Sequence, residues 1–102
     1  MQKSNKIALL FLLISVTVTA QKNNIFHNRA FWKTNPSISI IDQKIAEGNN
    51  ASASNKNAFD GVVYAILNKV DNKTIEYILT KNGNNVNKKT HDGRTYIFWA
   101  AY

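Results

Sequence analysis

Gly83-Asn84-Asn85-Val86-Asn87-Lys88-Lys89-Thr90-His91-Asp92-Gly93-Arg94-Thr95-Tyr96-Ile97-Phe98-Trp99-Ala100-Ala101 is the stretch whose reading decides the fold. Gly83 reads as a helix terminator, because glycine takes positive φ without steric cost. Asp92-Gly93 reads as a tight turn at the tip of a hairpin-like loop. Thr95 offers a hydroxyl to the free amides of a helix starting there. Ile97, Ala100 and Ala101 give that helix an apolar face, small enough for a neighbour to approach closely. The predicted order is helix end, long loop with a turn at its tip, helix start.

The same signals stand 35 positions earlier. Gly48 lies over Gly83, and Asn49-Asn50 over Asn84-Asn85. Asn57, Val62, Val63, Tyr64 and Ala65 lie over Asp92, Ile97, Phe98, Trp99 and Ala100. Self-similarity at a fixed period marks a chain whose units bury their apolar faces against one another. Two unrelated amphipathic hairpins would have no reason to keep both the period and the turn chemistry.

These residues resemble the ankyrin repeat, whose pattern runs G-A-D-V-N, then a few variable positions, then D-G-x-T-P-L-H-x-A-A. Tyr96 stands where the family has Pro and Phe98 where it has His, so the hydrogen bonds made by that His are absent. The period of 35 exceeds the ~33 residues of the family, and the extra length falls in Ile78-Leu79-Thr80-Lys81-Asn82-Gly83. The resemblance implies an all-α fold of ankyrin-type helix-turn-helix repeats stacked as a solenoid. Residues 21–56 would form an N-terminal capping or divergent repeat, 57–91 a full repeat, and 92–102 the truncated start of a further one. It also implies a protein-binding module with no catalytic activity, whose partners lie across the tips and the face made by the first helix of each repeat. Carried over position by position, the tip is Lys88, Lys89, Thr90, His91 and Arg94. The variable position before the paired alanines is Trp99, with Tyr64 one period earlier and Tyr102 just beyond. Large aromatics at such positions are typical interface anchors, and packing against the neighbouring repeat is the equal alternative.

The first twenty residues read differently. Lys3 and Lys6 precede the apolar run Ile7–Ile14, and Val18-Thr19-Ala20 forms a small-residue site before Gln21, the layout of a signal peptide cleaved between Ala20 and Gln21. Eight apolar residues are too few to span a ~30 Å hydrocarbon layer. The absence of cysteine excludes a disulfide framework, a thiol nucleophile and a lipidated cysteine after cleavage. The expected product is periplasmic or secreted, with no membrane anchor after cleavage, and monomeric.

Cleavage would leave 82 residues of the 102, room for one small domain. Of the 13 basic residues Lys3 and Lys6 would be lost, leaving 11 against 6 acids, a net charge of +5. The lysines are scattered through a chain with 15 asparagines, which suits a solvated surface better than a nucleic-acid site.

Along the chain, Ile25–Trp32 brings Phe26, Phe31 and Trp32 together as an atypical first unit that closes the core end. Asn35-Pro36 predicts a helix start, with Ile38, Ile41 and Ile45 on one face and a stop at Gly48. Asn57 is expected to cap a second helix carrying Phe59, Val62, Val63, Ile66 and Val70, weakened at Gly61 by ~1 kcal/mol relative to Ala. Asp71-Asn72 starts a third with Ile75, Ile78 and Leu79, and a last helix of about two turns begins at Thr95.

No catalytic, cofactor-binding or metal-binding residues are expected. His27 and His91 lie 64 residues apart, and His91-Asp92 lacks the third group that orients a base. Asn50-Ala51-Ser52 and Asn72-Lys73-Thr74 match a glycosylation sequon, as chance alone supplies in so asparagine-rich a chain. The rival readings are a truncated, non-functional fragment of a longer protein and a basic module for polyanions.

Overall fold

The computed structural model describes residues 23–102, and the expected signal peptide 1–20 with its Ala20–Gln21 junction lies outside the described residues. A 3-10 turn at Ile25–His27 leads into five α-helices: α1 Arg29–Lys33, α2 Ile38–Ala46, α3 Gly61–Leu67, α4 Asn72–Leu79 and α5 Tyr96–Ala101. A second 3-10 turn, His91–Gly93, lies before α5, and the described residues contain no strand.

Local chemistry explains most of the boundaries. The side chains of Asn28, Ser37 and Asp60 accept hydrogen bonds from Ala30, Ile40 and Val63 N–H at the starts of α1, α2 and α3. Gly48 (φ 102°) and Gly83 (φ 94°) take the left-handed conformation after α2 and α4, where the sequence places helix stops.

Two expected helix starts are displaced, each by hydrogen bonds that a nearby asparagine side chain accepts. Asn35 does not cap α2. It sits at φ 51° and its Oδ1 accepts the Asp71 N–H at 2.9 Å, while the Pro36 carbonyl accepts from Thr74 Oγ1 at 3.1 Å, so the turn before α2 is tied to the start of α4. Ser37 takes over the cap. Asn57 does not cap α3 either: Asn55 Oδ1 accepts the N–H groups of both Asn57 and Phe59, holding residues 55–59 in a turn and delaying the helix until Gly61. Thr95 and Asp71 stand at N-cap positions without a side-chain capping bond.

The loops share one pattern of bonds, offset by 35 residues. Asn55 N–H to Phe59 O and Ala58 N–H to Asn55 O have counterparts in Thr90 N–H to Arg94 O and Gly93 N–H to Thr90 O. Ala58 (φ 62°) and Gly93 (φ 70°) share the left-handed conformation.

The helices pack in two rows, with α3 between α1 and α5 in one and α2 against α4 in the other, α4 also lying on α3. Gly61, Val62, Val63, Tyr64 and Ala65 are all buried, which makes α3 the axis of the core. Phe26, Trp32, Ile41 and Ile78 close around it. Trp32 donates its indole N–H to Phe26 O at 2.8 Å, so this tryptophan closes the N-terminal end of the core with its polar atom satisfied. Gly61, expected only as a weak point in the helix, is where α3 comes closest to its neighbours. A Cβ there would stand 3.1 Å from Phe26 Cβ and 3.3 Å from Trp32 Cζ2.

Candidate functional site

The residues expected at the tip divide into an inner and an outer set. Lys88 belongs inside. Its ammonium donates to Asp60 Oδ2 at 2.7 Å and to Ser52 O at 2.6 Å. Asp60 is fully buried and uses both oxygens: Oδ1 accepts the Val63 N–H at 3.0 Å, and Oδ2 accepts from Lys88 and from the Tyr96 hydroxyl at 2.6 Å. Asn84 donates to Ala51 O and Ile78 O, both at 3.0 Å, and its Oδ1 lies 3.3 Å from the Tyr96 hydroxyl. Burial, then the hydrogen bond and charge of Asp60, push the Tyr96 phenol well above the ordinary tyrosine range and keep it protonated as a donor. Among the described residues no buried side-chain polar atom lacks a partner. The network is therefore a clamp joining the loop before the tip, the start of α3 and the start of α5. Asp60 was not foreseen: it stands 35 residues before Thr95, a cap position, but its charged partner is 28 residues away.

Thr90 is buried too. Its hydroxyl donates to Arg94 O and accepts the indole N–H of Trp99 at 2.7 Å. One period earlier Asn55 Nδ2 donates to the Tyr64 hydroxyl at 2.9 Å. Tyr64 (7% exposed) and Trp99 (6%) are consequently not the exposed anchors that their helix positions suggested. The first residue of each tip turn, Asn55 of 55–59 and Thr90 of 90–94, bonds the polar edge of the ring. Lys89 and Tyr102 are exposed, while His91 and Arg94 lie partly open at the surface.

The outer residues continue a strip of stacked side chains along the α1–α3–α5 row. At one end the Arg29 guanidinium lies 5.6 Å from the Tyr64 ring. Tyr64 packs on Phe59 (5.7 Å), and Phe59 stacks on the His91 imidazole at 4.6 Å and 14° and leans on Trp99 at 5.6 Å. At the other end Arg94 lies 5.6 Å from the Trp99 ring and 4.4 Å over Phe98, whose far neighbour is Tyr102 at 6.1 Å. His91 Nδ1 lies 2.8 Å from Asn57 O; since a carbonyl only accepts, the proton is assigned to Nδ1. His27 is bonded to Ala53 O through Nε2 at 2.7 Å, so both histidines tie loops together. Arg29 escaped the sequence reading, Phe59 was expected on the apolar stripe of the second helix rather than in the turn before it, and Phe98 was read only as a departure from the family pattern, though Arg29 stands 35 residues before Tyr64 and Phe59 35 before Arg94.

Charge is divided between the rows. Helices α1, α3 and α5 contain no Asp or Glu, whereas Asp42 and Glu76 lie on α2 and α4, with Glu47 and Asp71 at their ends. On the opposite side of α5 a groove of about 700 Å³ is lined by Ile66, Val70, Ile75, Leu79, Ile97 and Ala100, with Ile97 78% exposed. Its counterparts one period earlier, Val62 and Ala65, are wholly buried in the core around α3. No group of three or more His, Asp or Glu side chains among the described residues is placed to hold a metal ion. The strip presents two guanidinium groups and an imidazole beside aromatic rings. No family model matches the chain, nor does any curated protein or solved structure.

Proposed function

We propose that the chain is an exported ankyrin-type array of helix-turn-helix units that binds another protein through its tip loops and first-helix row and catalyses no reaction. The observation that carries this reading is the recurrence of one bonded loop at a 35-residue offset, from Asn55–Tyr64 to Thr90–Trp99. Such recurrence is what a family of stacked equivalent units requires. Export to the periplasm or beyond rests on the layout of residues 1–20 and the junction Ala20–Gln21. The binding surface rests on Lys89, His91, Arg94 and Tyr102, which the fold leaves accessible at one edge. Lys88, Thr90, Tyr64 and Trp99 hold that edge in shape from beneath.

The test is positional. A photo-crosslinking amino acid is placed at Lys89 or Tyr102, on the edge, or at Ser39, exposed on α2, and the full chain is expressed in the cells that produce it. A protein adduct that forms from both edge positions and not from Ser39 is the expected result. Equal labelling from all three, or none from the edge, would overturn the reading and favour a remnant without a partner.

A further inference from the structure

We infer that the Arg29–Arg94 strip takes an acidic, extended segment of the partner, with carboxylates on the two guanidinium groups and apolar side chains against the rings; this rests on the protein-binding reading above. Each guanidinium lies near aromatic rings, Arg29 by Tyr64 and Arg94 over Phe98 with Trp99 beside it. Stacking limits the rotamers of the long side chain and leaves the planar N–H edge free to meet a carboxylate with two parallel bonds. Neither arginine is strongly engaged within the chain. Arg29 forms no ion pair among the described residues, and Arg94 reaches only the exposed Asp92, at 4.0 Å. Apart from Asp92, which lies 3.4 Å from His91 and 4.0 Å from Arg94, the carboxylates are on the other row or, in Asp60, buried under Lys88.

The rings argue for a peptide rather than a nucleic acid. Base stacking needs free ring faces. Here Phe59 is covered by His91 and Phe98 by Arg94, while Tyr64 and Trp99 are buried with their polar edges bonded. The open rings, Phe98 (38% exposed) and Tyr102 (85%), lie together at the Arg94 end rather than along the strip, so there is no series of free faces for successive bases. The guanidinium groups also stand at the two ends of the strip rather than in the continuous row that successive phosphates demand.

Fluorescence anisotropy of the full chain tests this with three labelled probes: a short peptide alternating Glu and Leu, its Lys and Leu counterpart, and oligothymidylate. The Glu–Leu peptide is expected to bind, to weaken as salt rises, and to lose about tenfold in affinity with Arg29→Gln or Arg94→Gln. Arg94→Lys, which keeps the charge but not the flat stacked fork, should lose nearly as much. Lys73→Gln removes the same charge from the α4 row and should change affinity less than twofold; circular dichroism checks that each variant is folded. Loss of affinity with Lys73→Gln equal to that with Arg94→Gln would reduce the effect to net charge and overturn the inference. Preferential binding of oligothymidylate with the same arginine dependence would overturn it in favour of nucleic acid. If a protein crosslinks at Lys89 and Tyr102 but the Glu–Leu peptide fails to bind, the acidic segment is wrong while the protein-binding reading stands.

Discussion

Replacing Gly61 by Ala sets helix propensity against packing, and the structure decides the sign. Ala gains up to ~1 kcal/mol over Gly inside a helix, less at a first helical position, largely because it restricts the unfolded chain. On propensity alone Gly61→Ala should stabilise the protein. The new methyl, however, would meet Phe26 Cβ at 3.1 Å and Trp32 Cζ2 at 3.3 Å, both inside ordinary van der Waals separation. Neither neighbour can readily yield: both residues are buried, Phe26 Cβ is fixed to the backbone, and the Trp32 indole is pinned by its bond to Phe26 O. Overpacking of this kind costs ~1–3 kcal/mol. The expected net is a destabilisation of about 1 kcal/mol, or roughly 4–8 °C in Tm for a domain of this size. Urea and thermal unfolding, followed by circular dichroism and tryptophan fluorescence, give the value. In a Trp32→Phe background one of the two contacts disappears, so the cost of Gly61→Ala should shrink there even though the background itself is less stable. A rise in Tm for Gly61→Ala in the otherwise unchanged protein would refute the close approach of α1 and the first turn to α3.

Two further outcomes follow from the clamp at the start of α3. Asp60→Asn preserves shape and a capping oxygen but leaves the Lys88 ammonium without its carboxylate, at an expected cost of about 3 kcal/mol in denaturant unfolding. Asp60→Ala should cost about 1 kcal/mol more, because the cap to Val63 is lost as well; a near-neutral Asp60→Asn would show that the pair is not held as described. Tyr96 governs the alkaline side. Its folded-state pKa is raised, so above the ordinary tyrosine value of ~10 the unfolded chain releases a proton that the folded one keeps. Its contribution is therefore complete below that pH and falls as pH rises beyond it. Since other groups titrate in the same window, the readout is the difference between the parent and Tyr96→Phe, whose stability should decline less steeply above pH ~10; parallel curves would exclude the assigned role.

The sequence by itself determined the all-helical class, the helix stops at Gly48 and Gly83, and the tip turn near Gly93. Each depends on torsions and hydrogen bonds made within a few residues, so neighbouring letters suffice. It also carried the 35-residue spacing, a property of the string that needs no coordinates. For the candidate surface it supplied a set of residues that the structure divides in two. Lys89, His91, Arg94 and Tyr102 lie at the open edge, whereas Lys88, Thr90, Tyr64 and Trp99 are taken inward by partners that local pattern does not reveal. Only the tertiary structure decided those roles. Asp60 and Lys88 are 28 residues apart, Asp60 and Tyr96 36, and Asn35 and Asp71 36. Such pairs meet because one row of helices is laid beside the next. The same packing turned Gly61 from a propensity defect into a required point of contact and assembled Arg29, Phe59 and Phe98 into one strip, since which polar group is satisfied, and by whom, is settled by the neighbour across the interface.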